Sequence, residues 1–238
     1  MNTLAQIKFF IIVFTMIFGS CEKLTTDRES DVKTIALTFD DGPDSKYTPL
    51  ILDILKKNDV KATFFLVGDN TKKYPKIAKR IFLEGHCVGN HTTNHMRLLG
   101  KSFNYIYPNI ISTQNLIDSI KNTCGINSTD LKLFRPPFGL ITKEQTDSLK
   151  KHGFKIILWN INSKDWSKEY NDDEIFNKVI GESLYDKTNT NGVKIILLHC
   201  ADYKLKDSRM NTVEVLSRII SALKDAGYSF VKIDEINQ

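Results

Sequence analysis

Several features that would place the chain in a particular class of protein are absent from its 238 residues. It has no internal repeat, no low-complexity run and no composition shift that would mark an internal linker, so its length predicts one large domain. Disorder is excluded as well, because hydrophobic residues make up 41% of the chain and charged residues only 26%.

Clusters of positive charge are also missing. Lys and Arg exceed Asp and Glu by only 33 to 28, for a net charge of +5, and the basic residues are scattered rather than grouped with aromatic ones. A nucleic-acid-binding surface concentrates basic residues on one face or along one helix. The sequence therefore predicts no nucleic-acid partner.

The most apolar stretch, residues 9–18, is too short to span a bilayer and has the length of the apolar core of a secretory signal. A glycine and a serine then precede Cys21, an order that resembles a bacterial lipoprotein signal. We therefore predict a signal peptide over residues 1–20, a lipid anchor on Cys21 and a polar tether over residues 21–33. The protein would be an exported, membrane-anchored lipoprotein of the bacterial cell envelope, on its periplasmic or surface side. Simple secretion and an uncleaved anchor are the alternatives.

Cysteine is scarce, with four residues in all. If Cys21 carries the lipid, only Cys87, Cys124 and Cys200 remain, so at most one disulfide can form. All three lie beside apolar residues in the sequence, which favours buried free thiols.

The chain does contain a regular alternation of short apolar runs and segments whose apolar residues recur at helical spacing. This alternation predicts an α/β fold in which parallel strands are joined by crossover helices. The predicted strands cover residues 35–39, 62–67, 86–90, 131–134, 155–159, 194–198 and 229–231. The predicted helices cover residues 49–55, 74–84, 110–120, 142–153, 172–183 and 213–223.

Residues that can do chemistry lie at one end of these predicted strands. In parallel α/β folds the active site is built at the carboxyl ends of the strands, whereas surface residues without a function should also fall on helix faces and on the opposite loops. The residues at or just after the carboxyl end of a predicted strand are Asp40, Asp41, His91, His95, Arg135, Asp165 and His199.

Asp41, His91 and His95 are candidates for a three-ligand metal site. Imidazole suits zinc and related divalent ions, and a closely spaced histidine pair needs only one carboxylate to complete a catalytic site with an open position. Taken separately, the acids could belong to an Asp-Gly turn and the histidines could be solvated loop residues. Their joint position at strand ends favours the metal site.

Hydrolysis at such a site needs a base for the attacking water and an acid for the leaving group. Asp40, beside the candidate ligand, can be the base, and His199 can be the acid. Arg135 could pair with Asp40, and Asp165 could orient His199 or tune its charge. The plain alternatives are a surface arginine, an aspartate turn beside a packing tryptophan, and a core histidine.

These residues belong to longer motifs whose order resembles that of the polysaccharide deacetylases, the fourth carbohydrate esterase family, which share a NodB-like domain. The resemblance spans about residues 34 to 231 and implies one catalytic domain over residues 34–238. It also implies a distorted (β/α) barrel of about seven parallel strands, similar to a TIM barrel. The motifs are Thr38-Phe39-Asp40-Asp41-Gly42-Pro43, His91-Thr92-Thr93-Asn94-His95, Arg135-Pro136-Pro137-Phe138-Gly139, Asp165-Trp166 and Leu197-Leu198-His199.

The resemblance implies a role for each motif residue. Asp40 would be the general base, and Arg135 would position it. His199 would be the general acid, and Asp165 would tune it. The ligands of zinc, or of another divalent ion such as cobalt or nickel, would be Asp41, His91 and His95. The substrate-binding residues would be Pro137, Phe138, Trp166 and Leu197. The backbone N–H after the prolines would help to hold the oxyanion, and Trp166 and Leu197 would form the walls of the acetyl pocket. Phe138 stands where many members have tyrosine, and Asn162 where many have a further aspartate.

The activity so implied is metal-dependent removal of N-acetyl groups from an N-acetylglucosamine-containing glycan of the chitooligosaccharide or peptidoglycan type, by a monomeric enzyme. An O-acetyl esterase acting on xylan-type glycans is the nearest alternative, since the same site polarises either carbonyl. A glycan-binding protein that has lost turnover is the alternative from another class. The motifs keep their reactive residues, which favours an enzyme.

Overall fold

The computed structural model describes residues 33–126, 131–185, 193–204 and 208–236, and every structural statement below concerns those residues. The predicted signal peptide, the lipid anchor on Cys21 and all but the last residue of the predicted tether lie outside them. No helix among the described residues is long and apolar enough to cross a membrane.

Eight parallel strands form one curled sheet in the order β5-β4-β3-β2-β1-β7-β6, with β8 paired to the start of β1. The strands are β1 (Thr34–Asp40), β2 (Thr63–Leu66), β3 (Cys87–Asn90), β4 (Lys132–Phe134), β5 (Phe154–Ile156), β6 (Ile161–Asn162), β7 (Lys194–His199) and β8 (Ser229–Phe230). The two edge strands, β5 and β6, follow each other in the chain, and no ladder pairing between them is present in the part that the structure describes. This curled sheet is consistent with the distorted barrel that the family resemblance implies.

Within the described ranges, seven helices connect or cover the strands. They are α1 (Tyr47–Lys57), α2 (Gly68–Lys73), α3 (Pro75–Leu83), α4 (Phe103–Thr123), α5 (Lys143–Lys151), α6 (Asp172–Tyr185) and α7 (Met210–Asp225). Two 3-10 turns lie over Pro137–Gly139 and Ile233–Glu235. Asp44 begins α1 by accepting hydrogen bonds from the backbone N–H groups of residues 46, 47 and 48, and a capping box between Thr142 and Gln145 begins α5.

The central strand β1 is buried on both faces, and its residues alternate between two cores. Ile35, Leu37 and Phe39 pack in the large cluster shared with α1 and α7. Ala36 points into the barrel interior with Phe65, Leu133 and Ile157. Because side chains alternate along a strand, Thr38 and Asp40 share the interior face with Ala36. The alternation of side chains along β1 therefore directs Asp40 into the barrel interior.

The structure corrects several predicted boundaries. The strand predicted over residues 155–159 ends at Ile156, because the carbonyls of Ile157 and Leu158 accept hydrogen bonds from the Arg135 side chain rather than from a neighbouring strand. The two-residue strand β6 was not predicted, since two residues show no periodicity. Helix α2 was missed because its sequence, Gly-Asp-Asn-Thr-Lys-Lys, has no apolar face. Helix α4 begins at Phe103, before the predicted residue 110, and includes Pro108. Because proline is unfavourable inside a helix, the sequence does not predict the first turns of α4.

The three cysteines among the described residues are free, as predicted. Only Cys200 is fully buried, whereas Cys87 and Cys124 are half-buried. Burial raises the pKa of the Cys200 thiol well above its ordinary value, so this residue is a small apolar packing group rather than a nucleophile.

Candidate active site

The acid pair lies where β1 ends. Asp40 is the last strand residue, and Asp41 follows with φ +72°, which turns the chain so that both carboxylates border one cavity. Gly42 must be glycine here, because a Cβ at this position would lie 2.4 Å from the Cys200 sulfur. The backbone N–H of Cys200 also donates to the Asp40 carbonyl at 3.1 Å. The turn is therefore built against the end of β7.

Asp41, His91 and His95 come together as predicted. Asp41 Oδ1 lies 3.5 Å from His91 Nε2 and 3.3 Å from His95 Nε2, and one ligand atom of each residue lies within 4.8 Å of the others. All three side chains are buried. Asp41 Oδ1 has no hydrogen-bond partner among the described residues, and an orphaned buried carboxylate oxygen is costly. One oxygen and two imidazole nitrogens suit zinc, cobalt or nickel.

The protonation states of this cluster suit ligands. Burial raises the pKa of Asp41, but its contact with His91 and the charges of His199 and His95 outweigh burial and hold that pKa at about 2. Burial lowers the pKa of His95 to about 4 against the opposing charge of Asp41. At neutral pH the carboxylate is ionised and this imidazole is neutral, as metal binding requires.

Arg135 is fully buried and holds Asp40. Its Nη1 donates to Asp40 Oδ1 at 2.8 Å and to Thr38 Oγ1 at 2.8 Å, and its guanidinium carbon lies 4.1 Å from the centre of the Phe65 ring. Nε donates to the Ile157 carbonyl at 3.2 Å. The guanidinium is therefore fixed from several sides, and the surface-arginine alternative is wrong.

His199 is paired with Asp165. Asp165 Oδ1 lies 2.8 Å from His199 Nδ1, and Asp165 Oδ2 accepts from the His199 backbone N–H at 2.7 Å and from Thr212 Oγ1 at 2.8 Å. Burial lowers the pKa of His199, but the Asp165 carboxylate, with Asp41 and Asp40, raises it to about 9. His199 is therefore protonated at neutral pH, with Nδ1–H on Asp165 and Nε2–H free to donate.

Asp40 and His199 are direct register partners on the paired strands β1 and β7. Side chains at paired positions of parallel neighbours project from the same face of the sheet, with the strands about 4.8 Å apart. A carboxylate held by Arg135 and an imidazolium held by Asp165 thus stand side by side at the same end of the barrel.

A cavity of about 430 Å³ opens over these groups. It is lined by nearly all the predicted site residues, namely Asp40, Asp41, His91, His95, Phe138, Trp166, Leu197 and His199. Arg135 and Asp165 lie behind the lining, in contact with Asp40 and His199. Pro137 is buried and does not line the cavity, so its part is to shape the turn before Phe138.

Backbone strain is concentrated at this site. Six non-glycine residues among those described have positive φ, a conformation that costs about 1–3 kcal/mol where the structure must impose it. Five of the six, Asp41, Thr92, His95, Phe138 and Lys164, are site residues or lie next to one. Such strain is typical of sites whose geometry is set by function.

The cavity also contains residues that were not predicted to belong to the site. Trp159 lines it, as do Asp202, Tyr203 and Arg209, which follow β7, and so does Asn162, which the sequence marked only as a departure from the family motif. Asn162 accepts a hydrogen bond from the Lys164 backbone N–H at 3.1 Å and shapes the turn that leads to Asp165. No motif or periodicity marks the segment after β7, so no signal in the sequence identifies its cavity residues.

Comparison with known proteins gives a consistent result. A family model described as "Polysaccharide deacetylase" matches residues 27–157, which include Asp40, Asp41, His91, His95 and Arg135. The chain is 37% identical over 204 residues to a peptidoglycan-N-acetylglucosamine deacetylase of Bacillus cereus, and the match covers 86% of this chain and 68% of that protein.

Two solved structures show the same fold. One is a peptidoglycan N-acetylglucosamine deacetylase with a TM-score of 0.72 and 37% identity, covering 84% of this chain and 86% of that one. The other is a mutant of a family 4 carbohydrate esterase pseudoenzyme with restored enzymatic activity, with a TM-score of 0.71 and 31% identity. That match covers 85% of this chain and 66% of the other.

Proposed function

The chain belongs to the polysaccharide deacetylase family, and from this premise we propose that it removes N-acetyl groups from an N-acetylglucosamine-containing glycan of the peptidoglycan or chitooligosaccharide type. The observation that carries the proposal is the grouping, around one cavity, of an arginine-held carboxylate, an aspartate-held imidazolium and a three-residue metal-ligand set. Metal-assisted amide hydrolysis uses a general base, a general acid and a metal ion together.

Asp41, His91 and His95 would hold a divalent ion, most simply zinc. When bound, this ion supplies Lewis acidity toward the acetyl carbonyl and lowers the pKa of water. The chain's own part is to present one carboxylate oxygen and two imidazole nitrogens in a buried cluster. His91 is set for this role, because its Nδ1 lies 2.7 Å from the Arg135 carbonyl, so Nδ1 carries the proton and the Nε2 lone pair faces Asp41.

Asp40 would accept the proton of the attacking water, and the ion pair with Arg135 fixes the direction of its carboxylate. His199 would donate its Nε2 proton to the amide nitrogen as the C–N bond breaks, releasing acetate and the free amine of the sugar. Asp165 serves by keeping His199 protonated and its ring oriented. Because Asp40 and His199 are register partners, one sheet edge holds both proton-transfer groups.

The acetyl group would bind against Trp166 and Leu197, which line the cavity. The backbone N–H of the Pro137–Phe138 turn would donate to the developing oxyanion, since Phe138 has φ +62° at the cavity edge. Trp166 is 47% exposed, so a flat apolar surface is available at the mouth of the cavity.

One of the structural relatives is a mutant of a pseudoenzyme. An inactive glycan-binding protein is therefore an alternative to the deacetylase. What supports an enzyme here is that the base, the acid and their partners are all present and hydrogen-bonded. We further propose, from the sequence alone, that residues 1–20 are a lipoprotein signal and that Cys21 carries the lipid. A monomeric catalytic domain would then be tethered to a membrane of the cell envelope by residues 21–33.

The test is acetate release from peptidoglycan, chitooligosaccharides and acetylxylan in parallel, with the zinc content of each sample measured. Release from the first or second substrate by wild type, and its loss in Asp40→Asn with zinc retained, is the expected result. Faster release from acetylxylan would make the protein an O-acetyl esterase. A zinc-loaded wild type that binds one of these glycans and releases no acetate would be a binding protein.

A further inference from the structure

The two candidate histidine ligands are oriented by different means. His91 is fixed by the contact between its Nδ1 and the Arg135 carbonyl at 2.7 Å. His95 Nδ1 is buried and has no hydrogen-bond partner among the described residues. A histidine that binds a metal through one nitrogen normally uses the other to fix its ring, through a carboxylate, a carbonyl or a water. The ring of His95 therefore needs another constraint.

Two aromatic rings supply it. The Tyr203 ring is stacked on His95 with centroids 4.1 Å apart and 20° between the planes. The Phe138 ring meets His95 at 72° with centroids 4.6 Å apart. A ring covered on one face and met by the edge contact of another cannot turn far about its χ2 bond without a clash. The stacked contact limits rotation more, because it covers a whole face.

The position of Tyr203 is itself fixed by the fold. It lies two residues after Ala201, and the buried Arg209 contacts the described residues that precede and follow it. Arg209 Nε donates to the Ala201 carbonyl at 3.1 Å, and Nη1 donates to the Ser208 carbonyl at 2.9 Å. Arg209 also lies 3.6 Å from the buried Asp202 carboxylate. Arg209 thus contacts the two residues that directly precede Tyr203, and these contacts place the Tyr203 ring beside His95.

We propose that Tyr203 is a positioning residue for metal binding, which holds the His95 imidazole by stacking so that Nε2 faces Asp41. The inference rests on the metal site of the proposed function. It assigns the task to the aromatic ring and not to the hydroxyl group. The loss of such a supporting contact typically lowers metal affinity about tenfold to a hundredfold.

The experiment is a zinc titration of the metal-free protein, as wild type, Tyr203→Phe and Tyr203→Leu. Tyr203→Phe keeps the flat ring and should bind zinc as wild type does. Tyr203→Leu keeps an apolar side chain at this position without the flat ring, and its zinc affinity should fall about tenfold or more. Tyr203→Met provides a second flexible replacement if the leucine variant does not fold. Thermal unfolding of the metal-free proteins shows whether the fold is unchanged.

A matched control exists elsewhere in the chain. Tyr107 contacts His152 with ring centroids 4.5 Å apart, and neither residue lines the active-site cavity. Tyr107→Leu makes the same chemical change at a tyrosine–histidine contact and should leave zinc affinity unchanged. The kcat of each variant at saturating zinc separates weaker metal binding from a contact with substrate.

Three results would overturn the proposal. The first is that Tyr203→Leu and Tyr203→Met both bind zinc as tightly as wild type. The second is that Tyr203→Phe loses as much zinc affinity as Tyr203→Leu. The third is that Tyr107→Leu loses as much zinc affinity as Tyr203→Leu. The proposed deacetylase function is tested separately, by acetate release. Wild type that binds zinc through Asp41 without releasing acetate refutes the deacetylase while the titration still decides the role of Tyr203. If wild type binds no zinc, both fail.

Discussion

The backbone carbonyl of Arg135 lies 2.7 Å from His91 Nδ1, while the side chain of the same residue holds Asp40 at 2.8 Å. One position thus supports a candidate metal ligand through its main chain and the candidate base through its side chain. Replacing the side chain of residue 135 removes the contact with Asp40 and the other guanidinium contacts but leaves the backbone carbonyl in place, so the two functions can be separated by mutation.

Arg135→Met should lower turnover while zinc affinity stays close to wild type. Asp40 is 3% exposed, and removing one partner of a buried ion pair destabilises a protein by about 3–5 kcal/mol. The free energy of unfolding, measured by urea denaturation, should fall accordingly, and kcat should drop with Asp40 no longer held. Arg80→Met, which removes a partly exposed ion-pair network, is the control. A parallel collapse of zinc affinity in Arg135→Met would contradict the separation.

Asp40→Asn and His199→Ala should each cut acetate release about a hundredfold to ten-thousandfold, the usual contribution of a positioned base or acid. Zinc content and glycan binding should be retained. Since an amine is a poorer leaving group than an alkoxide, His199→Ala should impair N-deacetylation more than any O-deacetylation. Acetate release from both kinds of substrate measures this. Equal impairment of the two would argue against proton donation by His199.

The alkaline limb of the pH–rate profile should depend on Asp165. This carboxylate outweighs burial and raises the pKa of His199 to about 9, so the acid is lost only as pH rises through the raised pKa. Asp165→Asn removes the main raising charge, and the limb should move to lower pH. The profile of kcat from pH 6 to 10 at saturating zinc tests this. An unmoved limb would show that another group titrates.

The same pair affects stability in a pH-dependent way. The pKa of His199 is raised in the folded state from an ordinary value of 6.5. Its contribution is therefore fully present below about pH 6.5 and declines as pH rises through about 9. The free energy of unfolding of metal-free wild type should exceed that of Asp165→Asn more at pH 6 than at pH 10. A difference that grows with pH would have the wrong sign.

Chelation of the metal should abolish activity, and zinc should restore it. Replacing Asp41, His91 or His95 by alanine should lower both zinc affinity and turnover, because two ligands leave the ion loosely held. His152→Ala removes an exposed histidine outside the cavity and should change neither. Full activity after exhaustive chelation would refute metal dependence.

Lipid attachment is a prediction about residues outside the described structure. Mature wild type should partition with membranes, and Cys21→Ala should not carry lipid, as intact-mass measurement of the purified proteins would show. A chain with two or more acyl groups is held stably at a membrane. Cys124→Ala, at a half-buried free thiol, is the control. An unmodified Cys21 in wild type, or cleavage elsewhere, would refute the anchor.

Some of this architecture could be read from the sequence by itself. The alternation of apolar runs and helical periods determined a parallel α/β fold, because burial imposes those periods locally. The position of Asp40, Asp41, His91 and His199 at strand ends determined that they would meet, because the carboxyl ends of parallel strands share one edge. The end of β5 could not be predicted in this way, because the Ile157 carbonyl accepts a hydrogen bond from the Arg135 side chain instead of from a neighbouring strand.

The tertiary structure alone decided how the groups are held. The double use of Arg135, the raised pKa of His199 and the stacking of Tyr203 on His95 all depend on contacts between residues far apart in the chain. Hydrophobic periodicity predicts only whether a residue is buried. The position of a residue at the end of a strand predicts only the edge of the sheet at which it lies. Which ring lies against which imidazole depends on where Tyr203 lies after β7, close to Ala201, whose carbonyl accepts a hydrogen bond from Arg209 that no local pattern in the sequence indicates.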